Sequence, residues 1–211
     1  MKLKTLATLL LLQTFLCTPR GASAQCTNIN AQETVAWVNT FITSALGEDN
    51  ACRGGAPDRD SFAVDTGCNI FVGRVMARMY GLNNFIASDG TFLRANDIAA
   101  LLPTWNDWTD LGSAGDQAVL AAAADAAAQR YVVLAIWANP TPGKAGHVAL
   151  IGPGPLTKSD KWNGLKTPVA ASFKLDDAES AFLGQPLSCA FGADKKDAMH
   201  IWQYSKALSP Q

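Results

Sequence analysis

The chain has 211 residues, of which 48% are hydrophobic and 17% charged, and its formal net charge is −1. This length and hydrophobic content suit one globular domain with a sizeable core, and the lack of a basic excess argues against nucleic acid as a partner. After the N-terminus no stretch approaches the roughly 20 apolar residues that a transmembrane helix needs, so we expect no membrane anchor.

Residues 1–24 have the pattern of a secretory signal peptide. Lys2 and Lys4 precede an apolar run, and a small-x-small cleavage site ends at Ala24. The sequence therefore predicts a mature domain of residues 25–211 that is secreted or periplasmic. Removal of the leader takes away three basic residues, so the mature domain has a formal net charge of −4.

Four cysteines remain after this cleavage, in a compartment where disulfides form. If Cys68 is a free nucleophile, Cys26, Cys52 and Cys189 can make one bridge and leave one thiol over. Cys26–Cys52 is slightly preferred, because it would staple both ends of the first predicted helix. The alternative is two bridges and no catalytic thiol.

Four helices are predicted in the first part of the mature chain. Apolar periodicity and end signals place them at 30–47, 68–80, 96–102 and 117–130. The connection at 47–66 is rich in Gly, Asp and Arg, and a structureless loop of that length is unusual in a compact domain. We expect it to form one rim of an active site, directly before Cys68.

Apolar segments later in the chain predict an antiparallel sheet. The predicted strands are Val132–Ala138, His147–Ile151, Val169–Lys174, Pro186–Phe191 and Ala198–Tyr204. The connection between the first two is short, so they should pair antiparallel. Helices packed on such a sheet give an α+β fold.

The second predicted helix places a thiol at its first residue. Cys68, Val72, Val75 and Met79 recur at helical spacing on one face, and Gly73 is small enough to admit a close neighbour. Unpaired N–H groups and the positive end of the helix dipole favour a thiolate there. The position therefore suits a nucleophilic cysteine.

The chain contains two histidines, which limits the choice of a catalytic base. His147 follows Gly146, which allows a close approach of backbone or substrate. Small Ala149 lies on the same strand face as His147, so we expect the Cys68 helix to dock there. His200 is interpreted as a surface or packed strand histidine.

Residues 68–72 (CNIFV) followed by 146–151 (GHVALI) resemble the circularly rearranged papain-like hydrolases, which include NlpC-type endopeptidases and cysteine-histidine-dependent amidohydrolases (CHAP). The resemblance covers about residues 65–173. It implies a Cys-bearing helix on an antiparallel sheet and a Gly-His that begins the second strand. It also implies cleavage of an amide bond in bacterial peptidoglycan.

The third family residue is a His, Asn, Gln or acid on the strand after the His strand. Here Ser172 is the polar side chain in the middle of that strand, and Asp176 and Asp177 lie just beyond. The predicted catalytic residues are therefore Cys68, His147 and Ser172, with the two aspartates as alternatives to the serine.

The resemblance implies a secreted cysteine amidase or endopeptidase that acts on peptidoglycan or another peptide amide. The alternative is a non-catalytic glycan- or wall-binding domain with Cys68 in a disulfide and loop tryptophans Trp105, Trp108 and Trp162 stacked on sugar. We expect no cofactor and no metal: the two histidines and the four mature cysteines show no close-spaced pair of zinc ligands, and Asp58-Arg59-Asp60 lacks the ligand spacing of a calcium loop. An inhibitor or immunity protein as partner is left open.

Overall fold

The computed structural model describes residues 67–174 and 177–207. The predicted signal peptide, first helix and loop 47–66 lie outside the described residues, and so do Asp176 and the side chain of Asp177. Within the described ranges no helix is long and apolar enough to cross a membrane.

The described chain forms helices packed on one antiparallel sheet. The helices are α1 (Cys68–Tyr80), α2 (Ala95–Leu101) and α3 (Gln117–Ala128). The strands are β1 (Trp108–Ser113), β2 (Tyr131–Trp137), β3 (His147–Lys158), β4 (Lys166–Lys174), β5 (Asp177–Pro186) and β6 (His200–Ala207). They are arranged in the order β1-β6-β2-β3-β4-β5, and every neighbouring pair is antiparallel. The α+β prediction is confirmed.

The sheet buries a different apolar cluster on each face, because successive strand residues point to opposite sides. Val148 and Leu150 of β3 pack in the cluster that contains α1. Ala149 and Ile151 pack in the cluster that contains α3. The prediction that the Cys68 helix docks over Ala149 is therefore wrong. The alanine-rich helix α3 takes that face, where small residues on both surfaces allow a close approach.

The ends and the packing of α1 follow the sequence pattern. The helix ends at Gly81, whose φ of 65° is the left-handed conformation that glycine adopts without strain. Gly73 faces Phe92, and a Cβ at this glycine would collide with the phenyl ring. The prediction of a close neighbour at Gly73 is confirmed, and the neighbour belongs to the loop between α1 and α2.

Two edge strands were missed by the sequence analysis. β1 was predicted as loop, and its pairing with β6 is irregular between Asp110 and Gly112. β5 was not predicted, and the predicted strand 186–191 is a short 3₁₀ turn at Leu187–Cys189. Trp108 is the one buried residue of β1, so the apolar alternation that identifies a strand is weak there.

The third strand is longer than predicted. The predicted strand ends at Ile151, whereas β3 continues through Pro153 and Pro155 to Lys158. Proline cannot donate to a ladder. Both prolines lie between Gly152 and Thr157, where the register with β4 shifts. Their missing N–H groups are tolerated because regular pairing is interrupted there.

We predict that Gly73→Ala destabilises the fold. The added methyl group gains about 1 kcal/mol of helix propensity, but crowding against Phe92 costs about 1 to 3 kcal/mol. The free energy of unfolding in urea should therefore fall. In a Phe92→Ala background the same change should become stabilising, because the obstructing ring is gone. A loss of equal size in both backgrounds would contradict the contact.

Candidate active site

The Cys68 thiol lies at the first residue of α1 and is 7% exposed. It is a free cysteine. The backbone N–H groups of Val148, Asn69 and Cys68 itself face the sulfur. Val148 follows His147 in the chain, so this contact places the thiol at the beginning of β3.

Burial raises the pKa of the Cys68 thiol, and the N–H groups of Val148, Asn69 and Cys68 oppose that rise without reversing it. The sequence predicted a lowered pKa from the helix N-terminus, and this expectation is wrong. The helix contribution is present, but removing the sulfur from water outweighs it. The resting thiol is therefore neutral near pH 7.

A cavity of about 510 Å³ opens in front of the thiol. Both Cys68 and His147 border it. The remaining wall comes from the second residue of α1, from α2 with the residue before it, and from the turn between β2 and β3. These residues are Asn69, Arg94, Ala95, Asn96, Asp97, Gly143, Lys144, Ala145 and Gly146.

The His147 ring is held by a buried hydroxyl and an aromatic ring. Its Nε2 lies 2.9 Å from Oγ of Ser172, and Ser172 is 1% exposed. The ring also contacts Phe191 edge to face, with the ring centroids 4.9 Å apart. The structure thus brings predicted site residues His147 and Ser172 into direct contact, on adjacent strands.

Cys68 and His147 reach the cavity from opposite faces of the sheet. Cys68 belongs to the cluster under α1, whereas Phe191, which contacts the imidazole, belongs to the cluster under α3. Both border the cavity at the start of β3, because the sulfur lies against the backbone N–H of Val148, the residue after His147.

A hydrogen-bonded clamp fixes the turn that precedes His147. Oδ1 of Asn96 accepts the N–H of Asn139 at 3.0 Å, and Nδ2 of Asn96 donates to the carbonyl of Lys144 at 2.9 Å. Nδ2 of Asn139 donates to the carbonyl of Ala145 at 3.0 Å. The sequence analysis assigned Asn96 only to a helix, since its partners are more than 40 residues away.

Gly146 completes this clamp. A Cβ at Gly146 would collide with Oδ1 of Asn96 and with the backbone carbonyl of Trp137. The expected close approach at this glycine is therefore confirmed, and the approaching groups come from the protein itself. Only glycine allows the chain to enter β3 in this position.

A second contact secures the thiol end of α1. Nδ2 of Asn69 donates to the carbonyl of Leu93 at 3.0 Å. Leu93 directly precedes the residues that form the cavity wall before and within α2. The start of α1 and the far wall of the cavity are thus tied together.

Two of the three tryptophans assigned to a glycan groove are core residues. Trp162 is fully buried and its Nε1 donates to the carbonyl of Phe191 at 3.3 Å. Trp108 is 6% exposed within β1. Trp105 is partly buried and packs against Phe85 with the ring centroids 5.3 Å apart. The prediction for Trp108 and Trp162 is wrong, because bulky indoles fill the core on both faces of the sheet.

His200 lies on the surface, as the sequence predicted. Its Nδ1 is 2.7 Å from Oδ2 of Asp110, and half of its side chain is exposed. It does not border the cavity of Cys68. Among the described residues no group of three or more His, Cys, Asp or Glu side chains could hold a metal ion.

Cys189 is disulfide-bonded. Since Cys68 is free, the partner of Cys189 is not among the described residues. If one bridge forms among Cys26, Cys52 and Cys189, as predicted, it includes Cys189, and the preference for Cys26–Cys52 is wrong.

We predict that alkylation of Cys68 by iodoacetamide requires a higher pH than alkylation of an unfolded cysteine peptide. Only the thiolate reacts, and burial raises the pKa of this thiol. The thiolate fraction at pH 7 is therefore small, and the rate should still rise above the ordinary thiol pKa of about 8.5. Mass spectrometry of the Cys68 peptide measures the rate, and a plateau below that pH would contradict the raised pKa.

We predict that Asn96→Asp loosens the turn before His147. The carboxylate keeps the acceptor for Asn139 but loses the donor to Lys144, at a cost of about 1 kcal/mol. Amide hydrogen exchange over residues 139–146 should quicken, and unfolding in urea should begin earlier. Asn84→Asp is the matched control, because Asn84 is exposed on the loop after α1. Equal effects of the two substitutions would refute the clamp.

Comparison of the sequence with protein-family models finds no match, and comparison with curated proteins finds no significant similarity. Function is therefore inferred from the geometry of Cys68, His147 and Ser172. The free thiol opens a helix, the imidazole borders the same cavity, and the buried hydroxyl contacts the imidazole.

Proposed function

We propose that the protein is a secreted cysteine amidase or endopeptidase that cleaves an amide bond in bacterial peptidoglycan. One observation carries the proposal. The free thiol at the start of α1 and the imidazole at the start of β3 border one cavity, and Ser172 holds Nε2 of that imidazole at 2.9 Å. A nucleophile, a base and an orienting group are the three parts that amide cleavage through a thioester needs.

The proposed fold is the circularly rearranged papain-like arrangement. Its support is the order of the parts: a helix that begins at Cys68, an antiparallel pair β2–β3 in which His147 begins β3, and Ser172 on the adjacent strand β4. These are the positions at which the NlpC and CHAP families carry their Cys, His and third residue. The choice of peptidoglycan as substrate comes from that resemblance.

The first chemical step begins from a neutral thiol, because burial raises the pKa of Cys68. As sulfur bonds to the amide carbon, His147 takes the thiol proton. Transfer of this proton to Nδ1 leaves the contact between Nε2 and Ser172 intact. The tetrahedral intermediate then expels the amine, which takes the proton from the imidazolium, and a thioester remains.

The second half of the reaction regenerates the enzyme. His147 accepts a proton from water as the water oxygen attacks the thioester carbon. The carbon–sulfur bond breaks, the thiolate recovers the proton from the imidazolium, and a carboxylic acid leaves. The backbone N–H of Cys68 lies at the helix start beside its own sulfur, where it can donate to the oxyanion of both intermediates.

Ser172 supports this cycle as a positioning residue. Its hydroxyl can accept from Nε2–H when Nδ1 takes the proton, which selects the required orientation of the ring. A hydroxyl is neutral, so it stabilises the imidazolium less than a carboxylate would. The contribution is therefore that of one hydrogen bond, about 0.5 to 1.5 kcal/mol.

Two observations count against the non-catalytic alternative. It needs Cys68 in a disulfide, and Cys68 is free. It also needs loop tryptophans on the surface, and both Trp108 and Trp162 are buried. Titration of free thiols in the unreduced protein separates the two proposals, since the binding domain predicts none.

We predict that Cys68→Ala and His147→Ala each abolish release of fragments from purified peptidoglycan, read by mass spectrometry. The two groups act as a unit, so the double variant should be scarcely slower than either single variant. Ser172→Ala should slow turnover by about tenfold at most, the equivalent of one hydrogen bond.

His200→Ala is the matched control, because it removes the other imidazole of the chain from a surface site. It should leave turnover unchanged. Retention of full hydrolysis by Cys68→Ala would reject the mechanism, provided circular dichroism shows that every variant is folded.

A further inference from the structure

The cavity in front of Cys68 has an uneven charge. Arg94 and Lys144 supply two positive charges to its wall, and Asp97 supplies one negative charge. The described ion pairs of the chain join other residues, and neither cation has a carboxylate within 4 Å among the described residues. The described part of the wall therefore carries a net charge of +1, on a protein whose net charge is −1.

Hydrogen bonds hold the backbone of both Lys144 and Arg94. The carbonyl of Lys144 accepts from Asn96 at 2.9 Å, and its N–H donates to the carbonyl of Thr141 at 3.1 Å. The N–H of Arg94 donates to Oδ2 of Asp97 at 3.3 Å. Asn96 is two residues after Arg94, so this amide brings the lysine turn against the segment that carries the arginine.

We propose that Arg94 and Lys144 form a carboxylate-binding subsite beside the reacting thiol. A guanidinium binds a carboxylate through two parallel N–H donors, and an ammonium adds a point charge. The substrate then carries a free carboxylate close to the scissile amide, as an acidic residue or a chain end does. Asp97 shares the wall and disfavours a second carboxylate in the same place.

This inference rests on the proposed role of Cys68 as the reacting group, and it deepens that role by naming the substrate class. It can be tested without any hydrolysis. Iodoacetate and iodoacetamide alkylate the same thiol and differ only by a carboxylate in place of a carboxamide. The ratio of their rates at Cys68, measured on the full chain by peptide mass spectrometry, reports the attraction of the cavity for a carboxylate.

The ratio of iodoacetate to iodoacetamide labelling should be higher at Cys68 than in an unfolded cysteine peptide at the same pH. Arg94→Gln and Lys144→Gln should each lower the ratio by about threefold to tenfold at low salt, as expected for one charge near the surface. The difference should shrink at high salt, where exposed charges are screened. Lys166→Gln removes an exposed charge outside the cavity wall and should leave the ratio unchanged.

An unchanged ratio in both Arg94→Gln and Lys144→Gln would overturn the subsite. Failure of both reagents to label Cys68 at any pH would also overturn it, because the thiol would then be closed to the cavity. The carboxylate-binding subsite and the proposed function can be rejected independently of each other. A high ratio without peptidoglycan cleavage supports the subsite and counts against the proposed function, and cleavage with an unchanged ratio does the reverse.

Discussion

The contact between the Cys68 sulfur and the backbone N–H of Val148 decides the geometry of the site. Successive residues of β3 point to opposite faces, so Val148 packs under α1 while His147 contacts Phe191 on the other side. By lying against the strand backbone at its first residues, the sulfur borders the same space from the other side.

That contact also affects the protonation of the Cys68 thiol. The sulfur is removed from water, and the resulting rise in the pKa of Cys68 exceeds what the surrounding N–H groups recover. The thiol therefore rests in its neutral form, and the proposed mechanism needs a base to take its proton. A base is useful only where its ring is fixed, and two devices fix His147: the hydroxyl of Ser172 and the turn held by Asn96.

Much of this arrangement could be predicted from the sequence, and the exceptions have physical causes. The start of α1 at Cys68, its end at Gly81 and the strand that begins at His147 follow from periodicity and end signals. Ser172 is predicted as the third site residue because it is the polar residue in the middle of the next strand, and it contacts the imidazole. The docking face of α1 was predicted wrongly. The alternation of side chains along a strand predicts which residues share a face of the sheet, but it does not predict which helix covers that face.

The residues that form the wall of the cavity could not be predicted from the sequence, for a related reason. Asn96 joins a short helix to a turn 43 residues later in the chain, at Asn139, and no local pattern marks such a pair. The two sets of site residues therefore lie on different elements. The sulfur, the imidazole and the hydroxyl stand on α1, β3 and β4, whereas Arg94 and Lys144 stand before α2 and in the turn. Because the clamp uses the carbonyl of Lys144 and not its side chain, the charges of the wall can change without moving the groups that are proposed to react.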